Sequence, residues 1–388
     1  MKILFLTTLL PSNESNGSEI ASNSYIKSFI SLGVDIKVIG YKNKFHKYRL
    51  DFNEYEQAVS EIRVETYLAS ILTKFIWLIK SLLLNIPFAS SKYYTLKYIG
   101  AVKKELGTGK AYDYVVIDHA QLGWLIRFIK GYNIIFISHN IEHELYHNLS
   151  DKKAIERFLF KREAKLVKAM EDSLAVSSFR TWTISKNDQK YFSKVSPNPE
   201  KIQLIEILPA QEFTSYKGKE TVNVEELRIL GMWTWEPNRK GLEWFFEYVF
   251  PKLDKDIKIN VGGIGGEWIN KLNLPNVVYS GFVDSAVKFL GAAKLLAIPS
   301  TQGSGLQIKT INAICLGKPL VATSFALRSI DDFPKYVYKA DDVDTFAEYI
   351  NNMWSLEDAQ KSVSTEMKNW IAEKQERVNS SLKKSIGI

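Results

Sequence analysis

The sequence has almost no cysteine and no long uncharged apolar run, and both shortages limit what the protein can be. Cys315 is the single cysteine among 388 residues, which rules out an internal disulfide and a zinc–thiolate cluster. One thiol in a chain of this length is typical of a reducing compartment and predicts a cytoplasmic protein. No stretch reaches the roughly 18 apolar residues that a membrane-spanning helix needs. The apolar stretch at the N-terminus is short, has no small-residue cleavage site and runs into Ser12-Asn13-Glu14, which predicts a buried first strand and not a signal peptide.

The sequence also contains no internal repeat, low-complexity tract or recognisable nucleic-acid-binding module. We therefore expect no nucleic-acid partner. With 46% hydrophobic and 24% charged residues, the composition suits a globular protein. The length exceeds that of one ordinary domain and suits two.

Acidic residues are scarce in the segment 71–110, which holds seven lysines and one acid, Glu105. Lysines next to Trp77 and Tyr93 predict peripheral attachment to an anionic membrane surface, such as the inner face of the plasma membrane. A solvated helix face with its aromatic side chains in the core explains the same pattern. Both interpretations stand at this point.

Short apolar runs alternate with helical patterns along most of the chain. Runs that are apolar throughout indicate strands covered on both faces, as in parallel sheets, and their alternation with helices predicts doubly wound α/β units. The strand candidates are Lys2–Thr7, Asp35–Ile39, Tyr114–Ile117, Ile134–Ser138, Trp182–Ile184, Arg228–Gly231, Ile257–Val261, Val277–Tyr279, Leu295–Ile298 and Pro319–Ala322.

The polar stretch 211–226 predicts a linker between two such units. The predicted organisation is a first Rossmann-like domain at 1–210, a second at 227–355 and a C-terminal helical segment at 356–388. Ligands of open parallel sheets bind at the carboxyl ends of the strands. We therefore expect two sheets that face a central cleft lined by strand-to-helix loops.

The loop after the first strand contains Gly17 and Ser18, and a helical pattern starts at Ile20. Small residues before a helix expose backbone N–H groups at its positive end, which suits an anion. An ordinary turn explains the loop equally well.

Strand Ile134–Ser138 is followed by His139-Asn140-Ile141-Glu142-His143, with His147 one turn further. The His-x-x-Glu-His spacing matches an inverted zinc-peptidase pattern, in which histidines at i and i+4 share a metal. Because His139 directly follows a buried strand, we favour a different role, as a hydrogen-bonding group toward a substrate hydroxyl. A purely structural histidine is the third interpretation.

After strand Arg228–Gly231, Pro237 and Asn238 favour a helix start, and Arg239 and Lys240 place positive charge there. That combination suits a diphosphate. A capped helix with solvated basic residues fits the pattern equally well.

The stretch 298–313 carries the most information. A buried strand ends in a loop with Gly303 and Gly305, where the backbone can approach a ligand closely. The next helix is expected to present the Gly305 and Leu306 amides at its positive end. Lys309 and Asn312, at i and i+3, share one face of that helix. A lysine over phosphates and an amide beside ribose hydroxyls fit a nucleoside diphosphate.

Over nearly the whole chain, these residues resemble a bacterial member of glycosyltransferase family 4. The resemblance includes the Gly17 loop, the tract 139–142, Ser185 with Asp188, and three further motifs. These are Trp235-Glu236-Pro237-Asn238 with Gly241, the turn Gly281-Phe282-Val283-Asp284, and a glycine-rich loop with its helix at 303–323.

The resemblance implies a GT-B fold and a metal-independent glycosyltransferase that retains anomeric configuration, with no cofactor. It implies that a nucleotide-diphosphate sugar is held mainly by the second domain, and that the C-terminal helix crosses back to the first. Carried over, Lys309 stabilises the leaving diphosphate and His139 lies near the reacting carbon. The implied donor-binding set is Asn238, Lys240, Gly263, Phe282, Val283, Ser304, Gly305, Leu306, Lys309 and Asn312, and the implied acceptor-side set is Gly17, Ser18 and Glu142.

One departure from the family matters, because Asn312 stands where a glutamate usually receives the ribose hydroxyls. An asparagine keeps an acceptor but loses the charge. Two other functions therefore stay open, a GT-B nucleotide-sugar epimerase and a transferase-like binding subunit without activity. An epimerase ranks lower because only one histidine follows a strand convincingly. The expected acceptor is a glycan or a lipid-linked intermediate, as in surface-polysaccharide assembly.

Overall fold

The computed structural model describes residues 1–11, 16–44, 53–62, 69–109, 111–147, 154–216, 224–303, 305–355 and 363–388. These residues form two compact units. The first consists of Met1–Ile207 together with Val378–Ile388, and the second of Leu208–Arg377. The last helix therefore starts in the second unit and ends in the first.

The first unit contains a seven-stranded sheet in the order β3-β2-β1-β4-β5-β6-β7, and its paired strands are all parallel. Central strands such as β5 are buried along their whole length, as expected when helices cover both faces. The strands are β1 (Lys2–Leu9), β2 (Asp35–Asn43), β3 (Glu56–Ile62), β4 (Tyr114–Asp118), β5 (Ile134–Ser138), β6 (Arg180–Thr183) and β7 (Ile202–Leu204).

Helices connect these strands, and several begin at a side-chain cap. Ser185 caps α7 by accepting a hydrogen bond from the backbone N–H of Asp188 at 3.1 Å. The helices are α1 (Gly17–Ser31), α2 (Ile71–Leu84), α3 (Phe88–Ser91), α4 (Leu96–Leu106), α5 (Glu142–His147), α6 (Ala154–Ser177) and α7 (Lys186–Val195), with a 3-10 helix at Ala120–Arg127.

The second unit contains a six-stranded parallel sheet in the order β10-β9-β8-β11-β12-β13. Its strands are β8 (Val224–Leu230), β9 (Ile259–Gly262), β10 (Val277–Gly281), β11 (Ala293–Ile298), β12 (Leu320–Ala322) and β13 (Val337–Lys339). The helices are α8 (Gln211–Thr214), α9 (Glu236–Trp244), α10 (Ala286–Gly291), α11 (Ile308–Ile314), α12 (Val343–Ser355) and α13 (Val363–Ile386).

All ten predicted strands are present, with shifted ends, and the prediction of two parallel α/β sheets is confirmed. The sequence analysis missed β3, β7 and β13, each of which lies at the edge of its sheet. Part of the predicted linker is ordered structure, because α8 and the start of β8 fall within 211–226, and residues 217–223 lie outside the described part.

Strand order reverses once in each sheet, between β1 and β4 and between β8 and β11. At such a switch point, the loops that follow the two strands leave toward opposite faces and open a crevice at the carboxyl edge. The two switch points are therefore where each sheet is expected to bind a ligand.

The core of the first unit includes Trp182, whose ring is fully buried and contacts Tyr25 and Phe29 at centroid distances of 5.7 and 5.8 Å. Its Nε1–H donates to the Ser385 hydroxyl on α13 at 2.7 Å. The end of the chain is therefore anchored in this core. Truncation of such a ring costs about 3–5 kcal/mol.

Candidate active site

A pocket of about 300 Å³ lies at the switch point of the first sheet. Thr8 and Leu9 at the end of β1, His119 after β4 and His139 after β5 contribute to its wall. The first turns of α1 and α5 add Ser18 and Glu142. Ser18 and the tract that contains His139 and Glu142, predicted from two distant parts of the sequence, are thus brought together. Gly17 is the first residue of α1, next to Ser18.

Asp118, the last residue of β4, lies behind this pocket and has no solvent exposure. Its carboxylate accepts hydrogen bonds from Thr7 Oγ1 at 2.7 Å and Ser22 Oγ at 2.6 Å, and its Oδ1 lies 2.6 Å from Nε2 of His139. Burial alone would raise the pKa of Asp118, but its interactions with His119 and His139 and the hydrogen bond from Ser22 outweigh it and hold the pKa below its ordinary value. The aspartate therefore remains a carboxylate and fixes the orientation of His139.

His119 is a second histidine at this edge, and the sequence analysis missed it. Its ring stacks on that of His139 at a centroid distance of 3.8 Å, and its Nε2 lies 2.9 Å from the Ser18 hydroxyl. Its φ of 82° lies in the left-handed region, a strain of order 1–3 kcal/mol that clusters at functional sites. Burial, followed by the charge of His139, lowers the pKa of His119 to about 3 although Asp118 opposes the shift. His119 is therefore neutral at pH 7.

The expectation that only one histidine follows a strand is thus wrong. An epimerase was ranked below a transferase for that reason, and the reason no longer applies. Asp118 and His119 carry the same signal that pointed to His139, namely polar residues directly after an apolar strand. The signal was applied to β5 but not to β4.

The His-x-x-Glu-His tract does not form a shared metal site. His139 precedes α5, whereas His143 lies on that helix and its Nδ1 is 2.7 Å from the Glu171 carboxylate. The two histidines therefore face different carboxylates. Ligand atoms of Asp118, His119 and His139 do lie within 4.8 Å of one another, but the Nε2 atoms of both histidines are within hydrogen-bonding distance of Asp118 or Ser18. The side chain of His147 lies outside the described residues.

Glu142 lies in the pocket wall with an unusual protonation equilibrium. Gln121 donates to both of its carboxylate oxygens, at 2.8 and 2.7 Å. Burial and the charge of Glu171 raise the pKa of Glu142 to about 8, against a lowering effect of the Gln121 hydrogen bond. The side chain is therefore largely protonated at pH 7 and can donate a hydrogen bond into the pocket.

The N-terminus of α1 has a carboxylate of the protein itself close to it. The Asn16 side chain accepts from the backbone N–H of Glu19 at 3.1 Å and donates to the Glu19 carboxylate at 2.9 Å. These two hydrogen bonds cap the helix and place the protein's own carboxylate beside its positive end. An anion would therefore lie beside this carboxylate, and an anion-binding role for the loop stays a prediction.

The switch point of the second sheet has a different chemistry. Lys309 on α11 donates through Nζ to Oδ1 of Asn238 at 3.1 Å, which joins two residues predicted to bind the donor. Partial burial, and then the charge of Arg328, lowers the pKa of Lys309 to about 8. A lysine held in this way gains a large interaction when an anion neutralises both cations.

Arg328, in the segment after β12, is a residue that the sequence analysis missed. Its guanidinium donates to the carbonyl oxygens of Gly305 and Phe325. A Cβ at Gly303, where φ is 130°, would lie 3.3 Å from the same group. The glycine loop is therefore held by a cation. A basic residue within a few positions of a buried strand's carboxyl end could have indicated it.

Glycines bring the backbone segments of this edge together. A Cβ at Gly241 would lie 2.1 Å from the Pro299 carbonyl oxygen, so α9 packs directly on the loop after β11. A Cβ at Gly263, where φ is 114°, would lie 1.7 Å from the Gly231 oxygen. Close backbone packing thus explains both glycines without a ligand.

The remaining predicted donor residues have varied surroundings. The helix α11 starts at Ile308 with Gln307 as N-cap, so Gly305 and Leu306 precede the helix and do not form its N-terminal end as expected. Lys240 is exposed and lies 3.8 Å from Glu243, which supports the interpretation of solvated basic residues.

The acceptor oxygen of Asn312 receives the backbone N–H of Ala210 at 3.0 Å, so one of its acceptor positions is already used. Phe282 is 71% exposed, and Val283 is half-buried beside it. Ser304 lies outside the described residues. A donor-binding role for these residues stays a prediction.

Comparison with known proteins places these two edges in context. Residues 227–355 match the family model described as glycosyl transferases group 1. A comparison with curated protein sequences finds no significant match.

Among solved structures, the chain is similar to WaaG, a glycosyltransferase involved in lipopolysaccharide biosynthesis, with 14% identity and a TM-score of 0.60 over 99% of this chain and 98% of WaaG. It is similar to Anabaena Alr3699/HepE in complex with UDP and glucose, with 12% identity and a TM-score of 0.63 over 100% and 99% of the two chains. A variant of S. aureus TarM, in complex with fondaparinux, alpha-GlcNAc-glycerol and UDP, matches with 14% identity and a TM-score of 0.65 over the whole of both chains.

At this identity the likeness shows the fold, and it confirms the GT-B prediction. The matched segment begins within β8 and ends with α12, and it includes Asn238, Lys309 and Arg328. The chain thus has a GT-B fold, and its residues 227–355 match the glycosyl transferases group 1 model.

Proposed function

We propose that this protein is a retaining glycosyltransferase that binds a nucleotide-diphosphate sugar through the carboxyl edge of its second sheet. The observation that carries the proposal is the contact between Lys309 and Asn238, beside a glycine loop held by Arg328, within a glycosyl transferases group 1 domain. Two cations beside exposed backbone groups suit the diphosphate of the donor and the charge that develops on it as the sugar leaves.

A calorimetric titration with nucleoside diphosphates, without added metal, tests this assignment. Uridine diphosphate is the first probe because the HepE and TarM structures hold it. We expect binding to the wild type and a loss of about tenfold or more in Lys309→Ala. Lys258→Ala is the matched control, since Lys258 is exposed and precedes β9 at the opposite edge of the same sheet. Equal binding by Lys309→Ala and Lys258→Ala contradicts the assignment.

The catalytic part of the proposal rests on His139 and its partner Asp118. We propose that His139 binds a hydroxyl of the reacting sugar, held in one orientation by the 2.6 Å contact to Asp118. Slow hydrolysis of the donor sugar should disappear in His139→Ala, and the first-formed anomer, followed by proton NMR, reports whether configuration is retained. Hydrolysis that inverts configuration contradicts retention, and elemental analysis that finds stoichiometric metal contradicts metal independence.

A nucleotide-sugar epimerase is the second candidate, because two stacked histidines and a buried carboxylate meet at one pocket. An epimerase converts the donor sugar without an acceptor, whereas a transferase releases only nucleoside diphosphate and free sugar. Chromatography of the products without acceptor separates the two. A broad panel of nucleotide-sugars with neither binding nor turnover favours a non-catalytic binding subunit.

For the acceptor we propose a lipid-linked or membrane-borne glycan. Among the described residues no helix is both long and apolar enough to cross a bilayer. The helix α2 nevertheless buries only Trp77 and Ser81. Leu84 is half-buried against the core. The remaining large apolar side chains of the helix are exposed, and we call them the apolar face of α2: Ile71, Leu72, Phe75, Ile76, Leu78, Ile79, Leu82 and Leu83.

This face alters the expected mode of membrane attachment. The aromatic rings of Trp77 and Tyr93 are buried, and Lys80 and Lys92 are half-buried. Insertion of aliphatic side chains therefore contributes beside the attraction of exposed lysines such as Lys97. Flotation with anionic liposomes should persist partly at high salt and fall in Ile71→Ser/Leu83→Ser. If the variant floats as well as the wild type, the apolar face of α2 does not insert into the membrane.

A further inference from the structure

We propose that the pocket of the first unit takes an uncharged, hydroxyl-rich sugar ring and rejects the uronic acid form of the same ring. This inference rests on the proposed glycosyltransferase function and specifies the class of sugar that the site accepts. It concerns the charge of the sugar and leaves its stereochemistry open.

The size and polarity of the pocket suit a single sugar ring. Its volume of about 300 Å³ lies at the lower end of the range for small-molecule sites. Its described wall contains the hydroxyls of Thr8 and Ser18 and the amides of Asn16, Gln121 and Asn140. Hydroxyl and amide groups both donate and accept, as the hydroxyls of a sugar require.

The charged groups of the pocket are unfavourable for an anion. Among the described residues of the wall, the titratable side chains are those of Glu19, Glu142, His119, His139 and Tyr93, and none of these residues is a lysine or an arginine. His119 is neutral at pH 7, and any positive charge on His139 is offset by the Asp118 carboxylate 2.6 Å away. No positive charge in this part of the wall is left to balance a guest carboxylate.

The helix N-terminus at the pocket does not supply the missing positive charge. Glu19 is almost fully buried, and its carboxylate accepts a hydrogen bond from the side-chain amide of Asn16, the N-cap of α1. A carboxylate on the ligand would therefore lose its hydration beside another carboxylate. Removal of a charge from water without a partner is strongly unfavourable. A neutral hydroxymethyl group at the same ring position avoids that cost.

Glu142 adds a dependence on pH. Because its pKa is raised to about 8, the side chain is neutral at pH 7 and becomes a carboxylate as the pH rises through 8. Repulsion of an anionic ring should therefore increase between pH 7 and pH 9. An uncharged ring does not feel this repulsion and loses only the hydrogen bond donated by the protonated acid.

The test uses matched pairs of probes that differ only at C6. These are methyl glucoside against methyl glucuronide, and methyl galactoside against methyl galacturonide. Binding to the full chain is measured by saturation-transfer NMR and by shifts of the His119 and His139 ring protons, which locate the ligand without a variant. We expect the neutral member of at least one pair to bind at least about tenfold more tightly at pH 7.

Two variants separate charge from shape. Glu19→Gln keeps an oxygen that can accept from Asn16 and removes the charge, so the preference should fall to about threefold or less. Glu142→Gln should remove the increase in preference between pH 7 and pH 9. Ser18→Phe, whose ring would fill the pocket, should abolish sugar binding. Its fold is checked by nucleoside diphosphate binding to the second unit.

Three results overturn the inference. The uronate binds as tightly as the neutral ring, neither member of any pair binds, or binding leaves the histidine protons unshifted. The result of the nucleoside diphosphate titration, which tests the proposed donor site, is independent of these three outcomes. A chain that discriminates between the sugars without binding a nucleotide keeps the assignment of the pocket and loses that of the donor site.

Discussion

The two units have the same strand arrangement around their switch points, yet the side chains at their two carboxyl edges differ in charge. The first edge consists of a buried aspartate, two stacked histidines and two further carboxylic acids around a pocket. The second consists of glycines in close backbone contact with Lys309 and Arg328 beside them. Topology therefore determines where each sheet binds a ligand, and the side chains determine which charge the ligand carries.

The largest expected effect concerns the glycines of the second edge. Gly263→Ala combines a backbone conformation that alanine rarely adopts with a Cβ 1.7 Å from the Gly231 oxygen. We expect a loss of about 3–5 kcal/mol in the stability of the second unit, because strain and overpacking add. Hydrogen exchange assigns the loss to that unit.

Gly33→Ala is the control for this prediction. Its φ is 74°, but a Cβ there would meet no atom within 4 Å, so only the conformational cost of about 1 kcal/mol applies. Equal losses in the two variants would mean that close backbone contact does not build the second edge.

A smaller effect is expected from pH at the first edge. The folded-state pKa of His119 is lowered to about 3, so between pH 6.5 and pH 3 the unfolded state binds a proton that the folded state does not. Stability should therefore fall as the pH drops below about 6.5, by roughly 2 kcal/mol between pH 7 and pH 5. Denaturant unfolding at these two pH values measures the slope.

His119→Asn provides the comparison, since asparagine tolerates positive φ and does not titrate. The acid-dependent loss of stability should be clearly smaller in this variant than in the wild type. An unchanged slope would show that other groups control acid stability and that His119 is not held neutral by its surroundings.

The smallest effect concerns Lys309, whose pKa is lowered to about 8 in the free protein. A bound diphosphate favours the protonated amine, so binding should take up a proton above pH 8. Affinity should fall about tenfold between pH 7 and pH 9. Calorimetry in buffers with different ionisation enthalpies measures the proton uptake.

Lys309→Arg keeps its charge over this range, so its affinity should hardly change between pH 7 and pH 9. The same decline in both proteins would locate the titrating group elsewhere and remove the evidence that Lys309 contacts the diphosphate.

The strands that the sequence predicted are those in which burial requires a run of apolar residues. β1, β4, β5 and β11 are nearly or fully apolar along their length, because helices cover both faces of a central strand. The edge strand β3 (Glu56–Ile62) is polar and half-buried. Its identity depends on pairing with β2, which no local pattern of residues shows.

The site residues that could be predicted are likewise those with a local signal in the sequence. His139, Lys309 and Asn238 follow buried strands in loops or helix starts with familiar spacing, and the structure brings Lys309 and Asn238 into contact. Arg328 lies 19 residues from Lys309 in the chain but shares its environment. Such proximity comes from the crossover between β11 and β12, so it was not evident from spacing.

The sequence by itself determined the α/β class, the place of the loops at strand ends and the identity of several residues there, because burial and helix starts are local properties. Only the tertiary structure decided the protonation and the partners of those residues. Asp118 stays charged because side chains from four separate segments of the chain converge on it. The Asn312 oxygen is occupied because it accepts the backbone N–H of Ala210. Hydrogen bonding and desolvation depend on distances between residues far apart in sequence, and folding alone sets those distances.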